Sequence, residues 1–478
     1  MKPEDILSEI GSIDDKLIVE ADTDITLKKR QIPLKHILMP IAACFVLLLA
    51  VTFILPLLSD NVTDDPYGAA IHILSLTASA LEDPVTGGQN SSARAVAYGA
   101  NDFAFRLSAA LVETAGTGNF IMSPYSVWLP LAALVNATDP QHKDALLSAL
   151  SAAGISEDDV NNAASRMLFD LTKQGDVESA ADYGLLHHNP LKIANAVFVD
   201  NNFTLNRDFA QTFLDFYRGT AIGVDFSSPG AVDAVNAWAS DNTEGLIDSI
   251  VESFDPLTVA AIANAIYFSD RWDWEFNPDR TVEDLFYSPN GDVMAYFMLR
   301  EGDNQVYFED ELIQAIPLRF KSGGGMYIIL PKDGDATGLL ASMTNERFLE
   351  IQNNSVFASG RLLLPRFSIK SPLMQLRDTL VALGVPLFDE QAAPLTGGLI
   401  EERIPVWLES AVQIATIEVD EKGTTAAAVT IMPAPGAGLP EPTLPFEMIC
   451  NTPFVFILYG YTFDGGNQVL FTGVVNQP

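Results

Sequence analysis

Side chains able to break bonds are thinly spread along this sequence. It holds five histidines and two cysteines. There is no G-x-S-x-G turn to expose a nucleophilic serine, no H-E-x-x-H pair for zinc and no G-x-x-x-x-G-K-[ST] loop for phosphates. His187 and His188 precede Asn189-Pro190 without a third ligand nearby and read as a surface loop. Gly323 to Gly325 lack the lysine and the following helix of a phosphate loop. With 62 acidic residues, neighbouring carboxylates carry no signal for acid–base catalysis. Nothing supports an enzyme, a metal centre or a cofactor. What stands out is a segment suited to chemistry done by another protein.

That segment begins with ATIEVDEKGTTAAAVT, Ala415 to Thr430. Ala415 to Val419 has strand character, and Glu421-Lys422-Gly423 punctuates it. Thr424 to Thr430 is a run of small residues. IMPAPGAGLPEPTLPFE follows, rich in proline and glycine and almost uncharged. Strand patterns on both sides make this a long exposed loop, too long for a passive connection. In an extended chain Thr424, Ala426, Ala428 and Thr430 share one face, and all are small. Such a segment can slide between two existing strands without clashes. Exposed Gly, Ala and Pro also suit a protease cleft, which takes its substrate as an added strand.

Composition gives the frame around that loop. The 478 residues are 48% hydrophobic and 19% charged, enough for a large core and incompatible with wholesale disorder. Net charge is −35, which repels phosphate backbones, so nucleic acid is not an expected partner. From about Tyr98 to Pro478 there is no linker or repeat, and the stretch reads as one domain. Helical spacing covers Asn101–Glu113, Pro140–Ala153 and Glu157–Thr172. Strand patterns cover Ala194–Val199, Ala261–Phe268, Met326–Leu330, Gly360–Leu364, Phe454–Tyr459 and Val469–Val474. Lys321 to Gly325 reads as a hairpin turn. Helices and strands do not alternate strictly, which predicts an α+β fold rather than a doubly wound parallel sheet.

The front of the chain predicts a membrane anchor. Ile37 to Leu58 is an uncharged apolar run with no polar stripe, long enough as a helix to cross a bilayer. Lys28, Lys29, Arg30 and Lys35 precede it, and Asp60, Asp64 and Asp65 follow. The positive-inside rule places residues 1–36 in the cytoplasm and the rest outside, in a single-pass arrangement. A cleaved signal would not carry so long a charged tail in front. Ile41-Ala42-Ala43-Cys44 resembles a lipid-attachment box, but the apolar run continues well past Cys44. Residues 59–97 read as an acidic, Gly/Ser-bearing tether with a short helix at Ala69–Leu81. Cys450 has no exported partner and reads as a small buried residue.

The domain resembles the serpin family. Glu421-Lys422-Gly423-Thr424-Thr425-Ala426-Ala427-Ala428 looks like the hinge of an inhibitory reactive-centre loop, here about 423–446. Asn119 to Leu134 (NFIMSPYSVWLPLAAL), Asn236-Ala-Trp238 with Thr243-Glu-Gly245-Leu-Ile247, and Ala263 to Phe268 with Trp272 match family motifs in order. So do Leu364-Pro-Arg-Phe367, Thr452 to Phe456 and Phe471 to Pro478. The resemblance implies helices packed around large mixed and antiparallel sheets. It implies a monomeric suicide inhibitor of serine proteases that needs no cofactor. A protease cleaves the loop, forms an acyl-enzyme and is trapped covalently as the hinge, Thr430 included, adds to the central sheet as a strand. Ser123, Ser126, Asn264 and Gln413 would belong to the polar shutter where the sheet opens, and Trp272 to the top where insertion starts. Gln413 stands where many members carry a histidine, so pH-sensitive opening is not expected.

Counting forward from Gly423 puts the scissile bond near Ala437-Gly438; counting back from Pro453 puts it near Pro442-Thr443. Ala437 suits elastase-like or subtilisin-like proteases, and no Arg or Lys lies between Thr424 and Phe446 to draw a trypsin-like one. Pro433 and Pro435 fit a strand badly and favour an alternative, a non-inhibitory surface-binding module whose loop is cut as plain substrate. The charged tail and span without a leading signal have a bacterial look.

Overall fold

The structure, a computed structural model, describes residues 91–173, 191–321, 323–424 and 445–478. The domain opens with a helix, Ser91–Val112, which buries Val96, Phe103, Phe105, Leu107 and Leu111. Glu113–Ala115 tightens into a 3-10 turn, and Gly116 at φ 57° breaks it. A second helix, Pro124–Leu134, is apolar all round and buried along nearly its whole length. Ser123 caps it and Pro124 starts it, the favoured use of both residue types.

Three groups of strands surround these helices. In the first, Leu191–Asp200 lies between Gly219–Val224, parallel to it, and Ala260–Phe268, antiparallel to it. In the second, Phe367–Lys370 pairs antiparallel with Thr416–Val419, and Met374-Gln375 with Val412-Gln413. The third is a nine-stranded sheet. Its order is Phe120–Met122, Gly466–Val475, Phe454–Thr462, Gly325–Pro331, Ile313–Arg319, Val293–Glu309, Val356–Pro365 and Phe446–Ile449, with Val282–Phe286 also paired to Val293–Glu309. Its last pairing, Gly360–Leu363 with Phe446–Ile449, is parallel. Trp128, Leu129, Phe454, Phe456 and Leu458 are fully buried between helices and sheet.

The α+β expectation holds, and the predicted hairpin is present: Arg319 pairs with Gly325, and Gly323 turns the chain at φ 102°. Several boundaries differ from the sequence expectation. The first helix starts at Ser91, so Ser91 to Ala97 belong to it rather than to a tether. The Pro140–Ala153 helix shrinks to Lys143–Ala149, because Ser151 and Gly154 take positive φ beyond it. The long strand Val293–Glu309 and the helices Arg207–Tyr217 and Gly230–Asn242 were not legible from periodicity. Among the described residues no helix is long and apolar enough to cross a membrane. The tail 1–36, the run Ile37–Leu58, Cys44, the tether up to residue 90 and His187-His188 all lie outside the described residues.

Candidate functional site

Two strand edges face one cleft. Ala260–Phe268 is paired on one side by Leu191–Asp200, and Thr416–Val419 on one side by Phe367–Lys370. Among the described residues neither has a strand on its other side. A cleft of about 840 Å³ is lined by Ala261, Ala263 and Asn264 of one strand and by Val412 and Gln413 beside the other. Ser126 and Leu131 line it from the helix Pro124–Leu134. Backbone groups on a strand edge are obligatory donors and acceptors, so such a cleft is shaped for another strand.

Polar side chains gather in its wall. The Gln413 amide donates to the Ser123 carbonyl at 2.8 Å and to the Ser126 hydroxyl at 2.6 Å, while its oxygen accepts from the Ser123 N–H at 3.0 Å. Ser123 Oγ donates to the Leu470 carbonyl at 2.7 Å. One glutamine thus joins the strand Val412-Gln413, the start of a buried helix and the closing strand of the nine-stranded sheet. Asn264 stands apart from this group. Its amide donates to Asn195 Oδ1 at 2.8 Å, and its own oxygen is buried without a partner.

At the other end the hinge is held in a cradle. Asp420 Oδ1 accepts from the N–H groups of Lys422 and Gly423 at 2.8 and 3.1 Å, closing a tight turn. The turn reverses the chain, and Gly423-Thr424 then pairs antiparallel with Asp270-Arg271. Gly423 is required: φ is 152°, and a Cβ there would meet the Asp270 carbonyl at 2.1 Å. Thr424 is buried, and its Oγ1 accepts from Asp270 N–H at 3.0 Å. The segment after the strand supplies the remaining contacts. Trp272 N–H donates to the Lys422 carbonyl at 2.8 Å, Phe276 N–H to the Glu421 carbonyl at 2.9 Å, and the Trp272 indole to the Asp420 carbonyl at 2.9 Å. Trp272 is fully buried and stacks on Phe320, centroids 4.6 Å apart.

The Glu421 carboxylate anchors the turn from below. Arg366 and Thr281 donate to it. Burial alone would raise the Glu421 carboxyl, but these hydrogen bonds outweigh it and hold the group below the usual carboxylate range. Cys450 is fully buried, and burial pushes its thiol well up, as befits an inert packing residue.

The predicted residues therefore fall in two places. Ser126, Asn264 and Gln413 line the cleft, with Ser123 bonded to Gln413 and Asn264 bonded to Asn195 rather than to the others. Glu421, Gly423, Thr424 and Trp272 meet in the cradle. Gly423 and Thr424 are strand residues and buried, and Phe446 is buried in the next strand, so both ends of the expected 423–446 loop belong to strands instead. Ala426, Ala427, Ala428, Thr430, Ala437 and Gly438 lie outside the described residues. Sequence reasoning missed Asp270, Thr281 and Asn195, and passed over Arg366 although it sits inside the quoted Leu364-Pro-Arg-Phe367.

A family model described as serpin (serine protease inhibitor) matches residues 98–478. The chain belongs to the serpin family. Antichymotrypsin-2 of Bombyx mori is 30% identical over 390 residues, covering 79% of this chain and 96% of that relative. Alpha-1-antiproteinase S of Cavia porcellus is 26% identical over 381 residues, covering 79% and 89%. Among solved structures, native tengpin, a thermophilic serpin, superposes with a TM-score of 0.68 at 24% identity, covering 82% of this chain and 96% of its own. Human glycosylated kallistatin gives 0.67 at 24%, covering 81% and 99%. These two bear on the fold alone. The matched family is described as one of serine protease inhibitors, not of catalysts. Relatives come from mammals, an insect, a plant and archaea, so they do not support a specifically bacterial origin.

Proposed function

We propose that this serpin inhibits serine proteases as a suicide substrate. The target's serine attacks the loop carbonyl, the peptide bond breaks, and the new amine leaves while the acyl-enzyme remains. The freed hinge then adds as a strand between Ala260–Phe268 and Thr416–Val419. One observation carries this reading: the turn at Asp420–Gly423 directs Thr424 along the Asp270 edge, at the mouth of a strand position that no described strand fills. Ala437-Gly438 is the proposed scissile bond and the targets are elastase-like or subtilisin-like, supported by the small apolar residues there. Ile37–Leu58 anchors a monomer in the cell membrane with the serpin domain outside, supported by the basic residues before that run and the acidic ones after it.

The test mixes the full chain, in detergent, with an elastase-type protease. Expected are a covalent complex that survives denaturing electrophoresis and a released peptide beginning near Gly438. Pro433 and Pro435 favour the second reading, a binding module cut as plain substrate. That reading wins if the loop is cut, the protease stays active and the cleaved protein gains no thermal stability. Protection of the tail from protease added outside intact cells checks the membrane orientation.

A further inference from the structure

Arg300 is a buried cation that is not ion-paired among the described residues, although Asp273 lies near enough to act on its charge. It stands on strand Val293–Glu309 with 8% of its surface exposed, and among the described residues it forms no ion pair. Among the described residues its Nε–H has no hydrogen-bond partner. Burial brings its pKa down to about 10, with Asp273 opposing in part, so it stays charged at neutral pH. The guanidinium lies 5.3 Å from the Trp274 ring and 4.7 Å from the Phe276 ring, and it donates to the Trp274 carbonyl. Gly302 makes room for this: a Cβ there would stand 2.6 Å from the Trp274 indole.

The neighbours give Arg300 its meaning. Trp274 and Phe276 belong to the segment that holds the hinge turn, through Trp272 N–H to Lys422 and Phe276 N–H to Glu421. On its own sheet Arg300 pairs with Leu362, and Leu362 pairs with Met448 in the first strand after the loop. One side chain thus ties the cradle of the loop's N-terminal end to the strands that carry its C-terminal end. We propose that Arg300 is a positioning residue for trapping, fixing the Trp272–Phe276 segment so that the hinge turn is presented at the cleft in time to outrun hydrolysis. This rests on the suicide-inhibitor reading above.

An unpaired buried charge costs stability, and an apolar residue of similar length in its place is commonly neutral or stabilising. That separates positioning from packing. In the full chain, Arg300→Met should leave the thermal midpoint unchanged or raised. Yet the excess over one in the inhibitor consumed per protease trapped should rise roughly fivefold, the effect of about 1 kcal/mol on one of two competing barriers. Arg300→Lys keeps the charge but not the planar stacking, and should recover part of the loss. Amide exchange at Trp272 and Phe276 should quicken in Arg300→Met. Trp274→Leu, which removes the indole and leaves the cation, should raise the stoichiometry too. Unchanged stoichiometry and unchanged exchange in Arg300→Met overturn the proposal, as does a fall in thermal midpoint with stoichiometry intact. Should the wild type trap no protease, the inhibitor reading falls, and amide exchange alone then decides: quickened exchange keeps Arg300 as the cradle's tie, and unchanged exchange removes it.

Discussion

Glu421 and Arg366 form a two-pronged ion pair beneath the hinge, with Arg366 Nε and Nη2 donating to the carboxylate at 2.9 and 2.7 Å. The pair is asymmetric: the Glu421 side chain is 6% exposed and that of Arg366 44%. The Glu421 carbonyl meanwhile accepts from Phe276 N–H. A residue at the start of the loop is therefore held by both its side chain and its backbone, and the turn that follows inherits that rigidity.

Replacing that carboxylate should loosen the cradle. Glu421→Gln keeps the shape but loses charge-assisted hydrogen bonds to Arg366, at a cost of about 1–3 kcal/mol. The pH dependence follows from the depressed carboxyl. A depressed folded-state pKa gives stability that is fully present above the unfolded value, about 4.3, and lost as pH falls through the folded value. The wild type should thus be more stable than Glu421→Gln from pH 5 to 8 by a constant margin. The margin should shrink only below about pH 4. Thermal midpoints across pH 3–8 read this directly, and a margin that changed between pH 6 and 8 would point to a different group.

Gly423 offers a purely steric test. Gly423→Ala would place a methyl 2.1 Å from the Asp270 carbonyl and hold an L-residue at φ 152°. The expected cost is about 1–3 kcal/mol in the state where Gly423-Thr424 pairs with Asp270-Arg271. Amide exchange at Asp270, whose N–H is held by Thr424 Oγ1, should quicken with it. A protected Asp270 amide in Gly423→Ala would mean that the turn can re-form with another backbone geometry.

How much of this was legible beforehand depended on the kind of contact. Local punctuation was readable: the hairpin at Lys321–Gly325 and the break at Glu421-Lys422-Gly423 carry their own turn chemistry. Val293–Glu309 was not, because Glu301-Gly302-Asp303-Asn304 interrupts its apolar pattern, and cross-strand pairing with Val356–Pro365, Val282–Phe286 and Ile313–Arg319 keeps it extended. Thr424 was read as loop because small residues announce nothing about burial; its place was decided by Asp270, 154 positions away. Glu421 was singled out as punctuation, but its partners come from distant connections, Arg366 between Val356–Pro365 and Phe367–Lys370 and Thr281 just before Val282–Phe286, and leave no spacing signal. The four shutter residues were named together from a resemblance, and only coordinates separate Asn264, bonded to Asn195, from Gln413 with its two serines.

Gln413 is a place where pH sensitivity can be installed. The wild-type amide both accepts from Ser123 N–H and donates to Ser123 and Ser126, and it does not titrate. Gln413→His could reproduce one donor and one acceptor only while neutral. Burial depresses the pKa of a histidine, so the folded state would bind fewer protons than the unfolded one. Stability contributed by this site should then be complete above the unfolded value of about 6.5 and decline as pH drops below it. Denaturant midpoints at pH 8 and pH 5.5 should differ for Gln413→His and agree for the wild type over the same interval. Equal midpoints for both proteins would mean that the histidine has turned away from Ser123.

The most direct test of the mechanism lies in the small residues beyond Thr424. An extended chain continuing the strand begun there would turn Ala426 and Ala428 to the same face as Thr424, whose side is closed over and buried. A carboxylate at Ala428 would have to be carried into that face without a partner, a penalty of several kcal/mol. It would lie nine positions before the proposed scissile bond at Ala437-Gly438. Ala428→Glu should therefore be cut at the wild-type rate, yet give no covalent complex and no rise in thermal midpoint after cleavage. Denaturing electrophoresis and a melting curve of the cleaved protein check the two halves. If Ala428→Glu still traps protease with wild-type stoichiometry, the hinge does not act by entering the sheet, and the cleft between Ala260–Phe268 and Thr416–Val419 has another use.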